Sequence, residues 1–462
     1  MTPPAFSTLK LHPHLLKNLA SLAYEQMTPI QAQSLPPILA GKDVMGQAKT
    51  GSGKTAAFGL GLLEKLDIKS FNVQALVLCP TRELADQVAK EIRKLARTIQ
   101  NIKVLSLCGG MPIGPQISAL AHGVHIIVGT PGRIEDHLRK GRLQLENVNT
   151  LVLDEADRML DMGFQVTLDA IIQQVPKQRQ TLLFSATFSE QIQSIARHIM
   201  QEPIHVKVDT SHDDSSIRQH FYKVEDEQQR IIALRLLLLQ LRVESTVVFC
   251  NTKRETQAVA NELKHEGFSV LALHGDLEQR DREEMLVRFA NKSTSVLVAT
   301  DVAARGLDID ALDAVINYHI AHGADTHVHR IGRTGRAGSQ GMAYSLFTEK
   351  ETYKVATLET DVNPIMAAEP LPPLSLLEDP PMQALMRTLQ ISGGKKQKLR
   401  PGDILGALTG DKGISGKQVG KIHIFDNKAY VAIEQAVAKS ALKKLSEGKL
   451  KGRSFKVRLI RS

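Results

Sequence analysis

A glycine-rich segment near the start of the chain has the residue types that bind phosphate. Residues 48–55 read AKTGSGKT, after a short apolar run and before a helical pattern. Backbone N–H groups from Gly51 to Thr55 can surround a phosphate, while Lys54 supplies a positive charge and Thr55 can hold Mg²⁺. The segment fits the G-x-x-x-x-G-K-[ST] phosphate loop except at its first position, which is Ala48. It therefore predicts a site for a nucleoside triphosphate.

Two adjacent carboxylates occur about one hundred residues later, in LVLDEADRML (151–160). They end an apolar strand, and the carboxyl ends of parallel strands face the ligand crevice. Asp154 would position Mg²⁺ through water, and Glu155 would orient or deprotonate the attacking water. An acidic strand end alone is more often an exposed terminus. Together with a phosphate loop, it indicates hydrolysis of the bound nucleotide.

Apolar strands alternate with helical segments in two successive parts of the chain, which predicts two parallel-sheet α/β domains. A polar stretch at 209–219 separates them, and NPIMAAEPLPPLSLLEDPP (363–381) is too rich in proline for a regular element. We therefore expect a first domain at 1–208, a second at 215–358, a linker at 359–381 and a C-terminal domain at 382–462. The strand candidates are VQALVLC, VHIIVGT, TLVLDE, TLLFSA, STVVFCN, SVLALHG, TSVLVATD and AVINYH.

The positive charge of the chain is concentrated in its C-terminal region. Residues 381–462 contain 18 Lys and Arg against 5 Asp and Glu, so this region carries +13 and the rest −4 of the total +9. A polyanionic partner is therefore expected at the C-terminal domain. Apolar runs are too short for a transmembrane helix, and no secretory signal is visible. Cys79, Cys108 and Cys250 have no metal-binding spacing, which indicates buried or free thiols in a reducing compartment. We expect a cytoplasmic monomer.

With these motifs, the sequence resembles the DEAD-box RNA helicases, whose name matches Asp154-Glu155-Ala156-Asp157. The resemblance covers residue 6 to about residue 345, and its motifs occur in the order typical of the family. The other matching segments are TPIQ (28–31), PTRELA (80–85), Gly109-Gly110, TPGR (130–133), SAT (185–187), VVFCNTK (247–253), HGDLEQRDR (274–282), ATDVAARGLDI (299–309) and HRIGRTGR (329–336).

The resemblance implies two tandem RecA-like parallel-sheet domains that use ATP and Mg²⁺ to remodel RNA. It implies that Arg333 and Arg336 supply positive charge to the transferred phosphoryl group when the two domains close. The expected metal ligands are Thr55 and Asp154. The expected nucleotide-binding residues are Phe6, Gln31 (at the adenine edge), Ala48, Thr50, Gly51, Ser52, Gly53, Lys54, Thr55 and Asp308. The residues expected to couple hydrolysis to strand separation are Asp157, Ser185, Thr187 and His329.

Contacts between the two α/β domains and RNA are expected to involve the RNA backbone, because the matching residues are small or cationic. Binding should therefore be tolerant of sequence and sensitive to salt. The expected contacts are Thr81, Arg82, Gly110, Thr130, Arg133, Thr252, Gly275, Thr300 and Arg305.

Three residues depart from the usual pattern of the family. Ala23 stands where glycine usually precedes the aromatic Tyr24, and we expect this position to require only a small side chain. His319 stands where an acid is common, and His327 stands where tyrosine is usual. Both histidines could alter interdomain contacts or the response to pH.

The C-terminal domain has the order β–α–β–β–α–β, which is typical of an RNA-recognition-motif fold. KIHIFDNKAYVAI (421–433) reads as a hairpin whose alternation turns Tyr430 outward. Tyr430 is the one aromatic expected on the outer face for stacking RNA bases. The basic loop GGKKQKLR, through Lys395, Lys396, Lys398 and Arg400, and the terminal run KLKGRSFKVRLIR (449–461) are the better candidates for RNA contact.

The segment RPGDILGAL, a glycine-rich loop and GKIHIFD resemble the appended domain of the bacterial DEAD-box protein A group. That resemblance implies recognition of a hairpin of 23S ribosomal RNA and recruitment to the maturing large ribosomal subunit. Two functions remain open at this point, namely an RNA-stimulated ATPase that remodels RNA and an ATP-gated RNA clamp that hardly unwinds. A DNA helicase is disfavoured by the DEAD-type motifs.

Overall fold

The structure is a computed structural model, and its described residues fall into two compact units that divide between residues 208 and 217. The first unit is the first α/β domain. The second unit contains the second α/β domain and the C-terminal domain. The structure describes residues 4–48, 51–208, 217–304, 312–335, 341–358, 368–410 and 413–460.

The first α/β domain is built on a seven-stranded parallel sheet with the order β3-β4-β2-β5-β6-β1-β7 among the described residues. Its strands are β1 (Val44–Gln47), β2 (Ala75–Leu78), β3 (Val104–Leu107), β4 (Ile126–Gly129), β5 (Thr150–Asp154), β6 (Gln180–Ser185) and β7 (Ile204–Lys207). Its helices are α1 (Pro13–Ser21), α2 (Pro29–Leu39), α3 (Lys54–Lys65), α4 (Arg82–Leu95), α5 (Ile113–Ala121), α6 (Pro131–Arg139), α7 (Ala156–Asp161), α8 (Gln165–Ile172) and α9 (Glu190–Ile199).

Both faces of this sheet are covered by helices, which explains why its central strands read as continuous apolar runs. In β6, Leu182 and Phe184 pack into the core on one face, while Leu183 packs into the core on the other. Since all strands run in the same direction, their carboxyl ends lie along one edge of the sheet. The loops that carry the sequence motifs follow these ends.

The second α/β domain is a six-stranded parallel sheet with the order β10-β11-β9-β12-β13-β8 among the described residues. Its strands are β8 (Ile217–Val224), β9 (Thr246–Cys250), β10 (Val270–Leu273), β11 (Val296–Thr300), β12 (Ala314–Asn317) and β13 (Gly341–Thr348). Its helices are α10 (Glu227–Leu241), α11 (Lys253–His265), α12 (Gln279–Ala290), α13 (Asp301–Ala304), α14 (Ala324–Ile331) and α15 (Thr352–Val355). The two predicted parallel sheets are thus confirmed.

The described part of the predicted linker lies against the second α/β domain. Ala368 forms a parallel bridge with Phe221 of β8, and Glu369 N donates to the Phe221 carbonyl oxygen at 2.8 Å. A short 3₁₀ helix at Leu374–Glu378 then packs on α10. The prediction that the proline-rich segment forms no regular element is therefore wrong for Leu374–Glu378, which contains no proline and has Pro373 at its N-cap. Residues 359–367 lie outside the described part of the chain.

The C-terminal domain confirms the predicted element order. Its antiparallel sheet has the order β15-β16-β14-β17 among the described residues, and Leu389 and Val431 face a core that includes residues of both helices. The elements are β14 (Met386–Ile391), α16 (Pro401–Thr409), β15 (Val419–Ile424), β16 (Ala429–Glu434), α17 (Ala438–Glu447) and β17 (Val457–Leu459). None of the described helices of the chain is both long and apolar enough to cross a membrane.

Candidate functional site

The phosphate loop joins β1 to α3 and is shaped by two glycines. Gly51 and Gly53 have φ angles of +84° and +94°, a region that side chains disfavour. A Cβ at Gly53 would also collide with the side-chain nitrogen of Gln31. Lys54 begins α3, and its ammonium donates to the Ala48 carbonyl oxygen at 2.8 Å. The loop therefore presents backbone N–H groups and one cation at the carboxyl end of β1.

Asp154 ends β5, two strands from β1 in the sheet, and is almost fully buried with 2% of its surface exposed. Burial raises the pKa of Asp154 to about 7, against the opposing charge of Lys54. Asp154 Oδ1 has no hydrogen-bond partner among the described residues, and the same is true of the buried Ser52 hydroxyl. Buried polar atoms are normally paired. Unpaired oxygen ligands beside a phosphate loop fit Mg²⁺, which prefers carboxylate, hydroxyl and phosphate oxygens.

The glutamine motif contacts the phosphate loop directly. Gln31 Oε1 accepts from Thr28 N at 2.8 Å, and Gln31 Nε2 donates to the Gly53 carbonyl oxygen at 3.1 Å. Phe6 is buried nearby, with its ring 6.3 Å from that of Tyr24. Both ends of the Gln31 amide are thus engaged by protein, and its expected contact with adenine remains a prediction.

Ala23 departs from the usual family pattern at a position with an unusual backbone conformation. Its φ is +58°, in the left-handed region that glycine adopts without steric cost. Backbone conformation therefore favours glycine here in addition to side-chain size, and the expectation that the position requires only a small side chain stays a prediction. Ala23 adopts that conformation at an energetic cost.

The last acid of the DEAD motif is bonded to the SAT motif. Asp157 Oδ2 accepts from Ala186 N and Thr187 N, both at 3.2 Å, and from the Thr187 hydroxyl at 3.4 Å. The Ser185 carbonyl oxygen in turn accepts from Ala48 N at 3.1 Å. Hydrogen bonds therefore link Ala48 to Ser185 and Asp157 to Ala186 and Thr187, and the coupling role of these residues stays a prediction. The fourth expected coupling residue, His329, lies on α14 of the second α/β domain.

The expected RNA contacts of the first α/β domain converge at one edge. They follow the carboxyl ends of β2, β3 and β4, which are neighbours in the sheet. Thr81 caps α4 by accepting from Leu84 N at 3.3 Å. Gly110 has a φ of +69°, and a Cβ there would collide with the Arg82 guanidinium. Arg133 lies in the first turn of α6, after Thr130.

The second α/β domain arranges its expected RNA contacts in the same way. Thr252 caps α11, and its hydroxyl donates to Glu255 Oε2 at 2.9 Å. Thr300 ends β11 and Gly275 follows β10, so these residues lie after three adjacent strands. Arg333 follows α14. Thr50, Arg305, Asp308 and Arg336 lie outside the described residues.

Arg330 lies within HRIGRTGR, but the motif gave it no expected role; it is 1% exposed and organises this edge. Its guanidinium donates to Asp301 Oδ1 at 2.7 Å, to Asn251 Oδ1 at 2.8 Å and to the His319 carbonyl oxygen at 2.7 Å. Asp301 follows Thr300, and Asn251 precedes Thr252 in the chain. The sequence does contain a signal for this role, because Asp301 and Asn251, which can accept hydrogen bonds from an arginine, are each adjacent to an expected RNA contact.

The outer face of the C-terminal sheet, comprising Thr388, Gln390, Tyr430 and Arg458, packs against α12 and the residues after it. Thr388 Oγ1 accepts from Asn291 Nδ2 at 3.1 Å and contacts the Ser293 hydroxyl. Arg458 contacts Glu284 of α12 at 3.3 Å. Strand alternation is therefore as predicted, but this face is covered by the second α/β domain.

Burial of Tyr430 contradicts its predicted role in stacking RNA bases. The side chain is 1% exposed and packs in a cluster with Val287 of α12 and Ile460. Burial, followed by the negative charges of Glu284 and Glu283, raises the Tyr430 pKa to about 12. The ring faces outward from its own sheet, as expected, yet it serves as a packing residue.

The basic loop of the C-terminal domain remains exposed and is held firmly. Lys395 N donates to the Phe425 carbonyl oxygen at 2.8 Å, and Lys396 N donates to the Asp426 carbonyl oxygen at 3.0 Å. Lys398 has a φ of +60°, which turns the chain before Arg400. All four cationic side chains are exposed. Backbone bonds thus order the loop while its charges face solvent.

Family models match all three domains. Residues 28–195 match the DEAD/DEAH box helicase model, and residues 228–338 match the helicase conserved C-terminal domain. Residues 388–459 match the DbpA RNA binding domain. The ATP-dependent RNA helicase DbpA of Escherichia coli is 54% identical over 99% of this chain and 100% of its own length.

The chain belongs to the DEAD-box ATP-dependent RNA helicases of the DbpA type. Another member of the DEAD-box family, the helicase CshA of Bacillus subtilis, is 46% identical over 77% of this chain and 72% of its own length. A structure of Saccharomyces cerevisiae Dbp5 bound to RNA and ADP BeF3 is similar at a TM-score of 0.68. That likeness has 32% identity and covers 76% of this chain and 90% of that one. The DEAD-box helicase fold and activity predicted from the motifs are thereby confirmed.

Proposed function

We propose that this DbpA-type helicase uses ATP and Mg²⁺ to remodel 23S ribosomal RNA during assembly of the large ribosomal subunit, as a cytoplasmic monomer. The observation that carries the RNA target is the ordered cationic loop at 395–400, exposed on a domain that matches the DbpA RNA binding domain. A loop that is ordered before binding loses less conformational entropy on RNA contact.

The residues of the first α/β domain support a division of roles in hydrolysis. Lys54 would bind the β- and γ-phosphates, and Thr55 and Asp154 would hold Mg²⁺, which neutralises phosphate charge. Glu155, at the N-terminus of α7, would orient the attacking water and accept its proton. From the second domain, Arg333 and Arg336 would add positive charge at the transferred phosphoryl group.

RNA is proposed to contact both α/β domains through its backbone. Thr81, Arg82 and Arg133 of the first domain, and Thr252 and Thr300 of the second, follow the carboxyl ends of neighbouring strands. These side chains suit phosphate and 2′-hydroxyl groups rather than base edges. Specificity for a ribosomal hairpin is therefore assigned to the C-terminal domain. With Tyr430 buried, that specificity would reside in the basic loop instead of the sheet face.

The test compares ATPase stimulation by a 23S ribosomal RNA fragment that contains the hairpin with stimulation by a scrambled fragment. We expect the native fragment to stimulate more strongly, and the Lys395→Glu/Lys396→Glu/Lys398→Glu variant to remove this preference. A matched control is Lys42→Glu/Lys69→Glu/Lys177→Glu, at three exposed lysines that precede β1, β2 and β6, at the opposite edge from the candidate site. Equal stimulation by both fragments in the unaltered protein would overturn the ribosomal target.

Duplex release measured in the same reactions separates remodelling from clamping. We expect ATP-dependent release of a short strand next to the hairpin. ATP-dependent retention of RNA without strand release would instead support the clamp.

A further inference from the structure

Helix α5 buries a polar residue where an apolar one would be usual. Gln116 is 5% exposed and is the only residue of α5 that is fully buried. Buried polar side chains are retained where they bond to something specific. The partners of Gln116 are the two segments that carry expected RNA contacts on this side of the domain.

The Gln116 amide uses both of its ends. Gln116 Nε2 donates to the Cys108 carbonyl oxygen at 3.2 Å, in the residue that precedes Gly109-Gly110. Gln116 Oε1 accepts from the Arg133 guanidinium at 3.2 Å. Arg133 also donates to the Met111 carbonyl oxygen at 3.4 Å, just after Gly110. The glycine pair is therefore held on both sides by groups that Gln116 links.

A buried histidine fixes the orientation of this amide. His137 is fully buried on α6, and its Nε2 lies 3.1 Å from Gln116 Oε1. His137 Nδ1 has no partner among the described residues, so the ring proton belongs on Nε2, where it is donated to Gln116. Burial and the nearby Arg133 charge lower the pKa of His137, which keeps this neutral tautomer. With Oε1 accepting from two donors, Nε2 must face Cys108.

We infer that Gln116 is a positioning residue, which holds Arg133 and the Gly109-Gly110 segment in one arrangement for contact with an RNA phosphate. Arg133 has several free rotations, and an unsupported arginine side chain loses rotamer entropy on binding. The bond from Gln116 fixes part of that side chain before RNA arrives. This inference rests on the proposed contact between Arg133 and RNA.

The experiment is a double-mutant cycle in the full-length protein, with Gln116→Met, Arg133→Ala and the combined variant. Methionine matches the length of glutamine and removes all three hydrogen bonds of the amide, to Cys108, Arg133 and His137. The readouts are the RNA concentration for half-maximal ATPase stimulation and kcat at saturating RNA. We expect Gln116→Met to raise that RNA concentration about fivefold, as for loss of one hydrogen bond, with a smaller change in kcat. In the Arg133→Ala background, Gln116→Met should add nothing further.

A second variant guards against misfolding of Gln116→Met. His137→Phe keeps a buried ring but removes the donor to Gln116, so a smaller rise of about twofold is expected, again only when Arg133 is present. Thermal unfolding of each variant checks the fold, and Gln174→Met, at an exposed glutamine after α8, is the matched control.

The outcomes separate this inference from the proposed function. If Arg133→Ala leaves RNA stimulation unchanged, the proposed RNA contact is wrong. If Arg133→Ala weakens it while Gln116→Met and His137→Phe do not, the contact stands and the positioning role is overturned. Losses that add in the combined variant would also overturn it, because Gln116 would then act independently of Arg133.

Discussion

The edge of the first parallel sheet and the outer face of the C-terminal sheet both bury polar side chains, but three of the buried polar atoms at the edge are unpaired, whereas Thr388, Gln390 and Arg458 of the face bond to protein. At the edge, Asp154 Oδ1 and the hydroxyls of Ser52 and Ser185 have no partner among the described residues. On the face, Thr388 accepts from Asn291, and Gln390 accepts from Arg458 at 2.7 Å. Unpaired oxygen atoms beside a phosphate loop fit a ligand, whereas the paired side chains of the face form an internal contact.

The difference follows from how each surface is made. A parallel sheet places the carboxyl ends of all its strands along one edge. A motif that directly follows a strand in the sequence must therefore lie at that edge. An antiparallel sheet with helices on one side has a second face without helices. The sequence of the sheet does not determine whether another domain covers that face. In this protein, α12 of the second α/β domain covers that face.

The largest expected effect comes from removing charge at the edge. Lys54→Ala should lower kcat for RNA-stimulated ATP hydrolysis by on the order of 10²- to 10³-fold, because the phosphates lose their cation in a buried site. Steady-state phosphate release at saturating RNA measures this. Lys42→Ala, at an exposed lysine before β1, is the control. Unchanged turnover in Lys54→Ala would contradict the assignment of the phosphate loop.

The next effect tests the covered face. Tyr430→Ala should lower the free energy of unfolding by about 3 kcal/mol, since it leaves a cavity between Val287 and Ile460. Tyr430→Phe keeps the ring and should change it by less than about 1 kcal/mol. Urea unfolding measures both, and hydrogen exchange should increase at 279–290 in Tyr430→Ala alone. If Tyr430→Ala instead weakened binding of RNA without loss of stability, the face would be an RNA platform.

Sequence patterns predicted the two parallel sheets, the C-terminal element order and the motif residues at strand ends, because each depends on local periodicity and chain direction. They failed for Tyr430, whose outward direction was correct but whose neighbour lies more than a hundred residues away. They also gave no expected role to Arg330 and Gln116, whose roles depend on partners brought together by adjacent strands. Residue type predicts function for a motif that follows a strand of a parallel sheet, because the chain topology determines its neighbours. It does not do so for a residue such as Tyr430, whose neighbours depend on packing between domains.

His327 is a buried group with one paired and one unpaired ring nitrogen: Nε2 contacts Gln219, and Nδ1 has no hydrogen-bond partner among the described residues. His327 Nε2 lies 2.9 Å from Gln219 Oε1, and burial together with the Arg330 charge lowers the His327 pKa to about 4. The unfolded chain has a histidine pKa near ~6.5, so it binds the proton first as pH falls. Stability is therefore complete above about pH 6.5 and is lost progressively towards pH 4, by about 3 kcal/mol.

His327→Tyr should remove this part of the pH dependence, because tyrosine does not titrate in that range. Urea unfolding at pH 7.0, 5.5 and 4.5 measures the difference between the variant and the unaltered protein. Other histidines contribute equally to both curves and cancel. Parallel curves for the two proteins would mean that His327 is protonated equally in the folded and unfolded states.

The smallest effect concerns Ala23, which follows α1 and differs from the usual pattern of the family. Because Ala23 has a φ of +58°, Ala23→Gly relieves steric strain in the folded protein but increases the conformational freedom of the unfolded chain. We expect the free energy of unfolding to rise by about 0.5–1 kcal/mol. The control is Ala20→Gly, at an exposed position of α1. This substitution should lower the free energy of unfolding by about 1 kcal/mol. Thermal unfolding with shifts of opposite sign would establish that backbone conformation, rather than side-chain size, favours glycine before Tyr24. Destabilisation by both substitutions would show that alanine is accommodated there without strain.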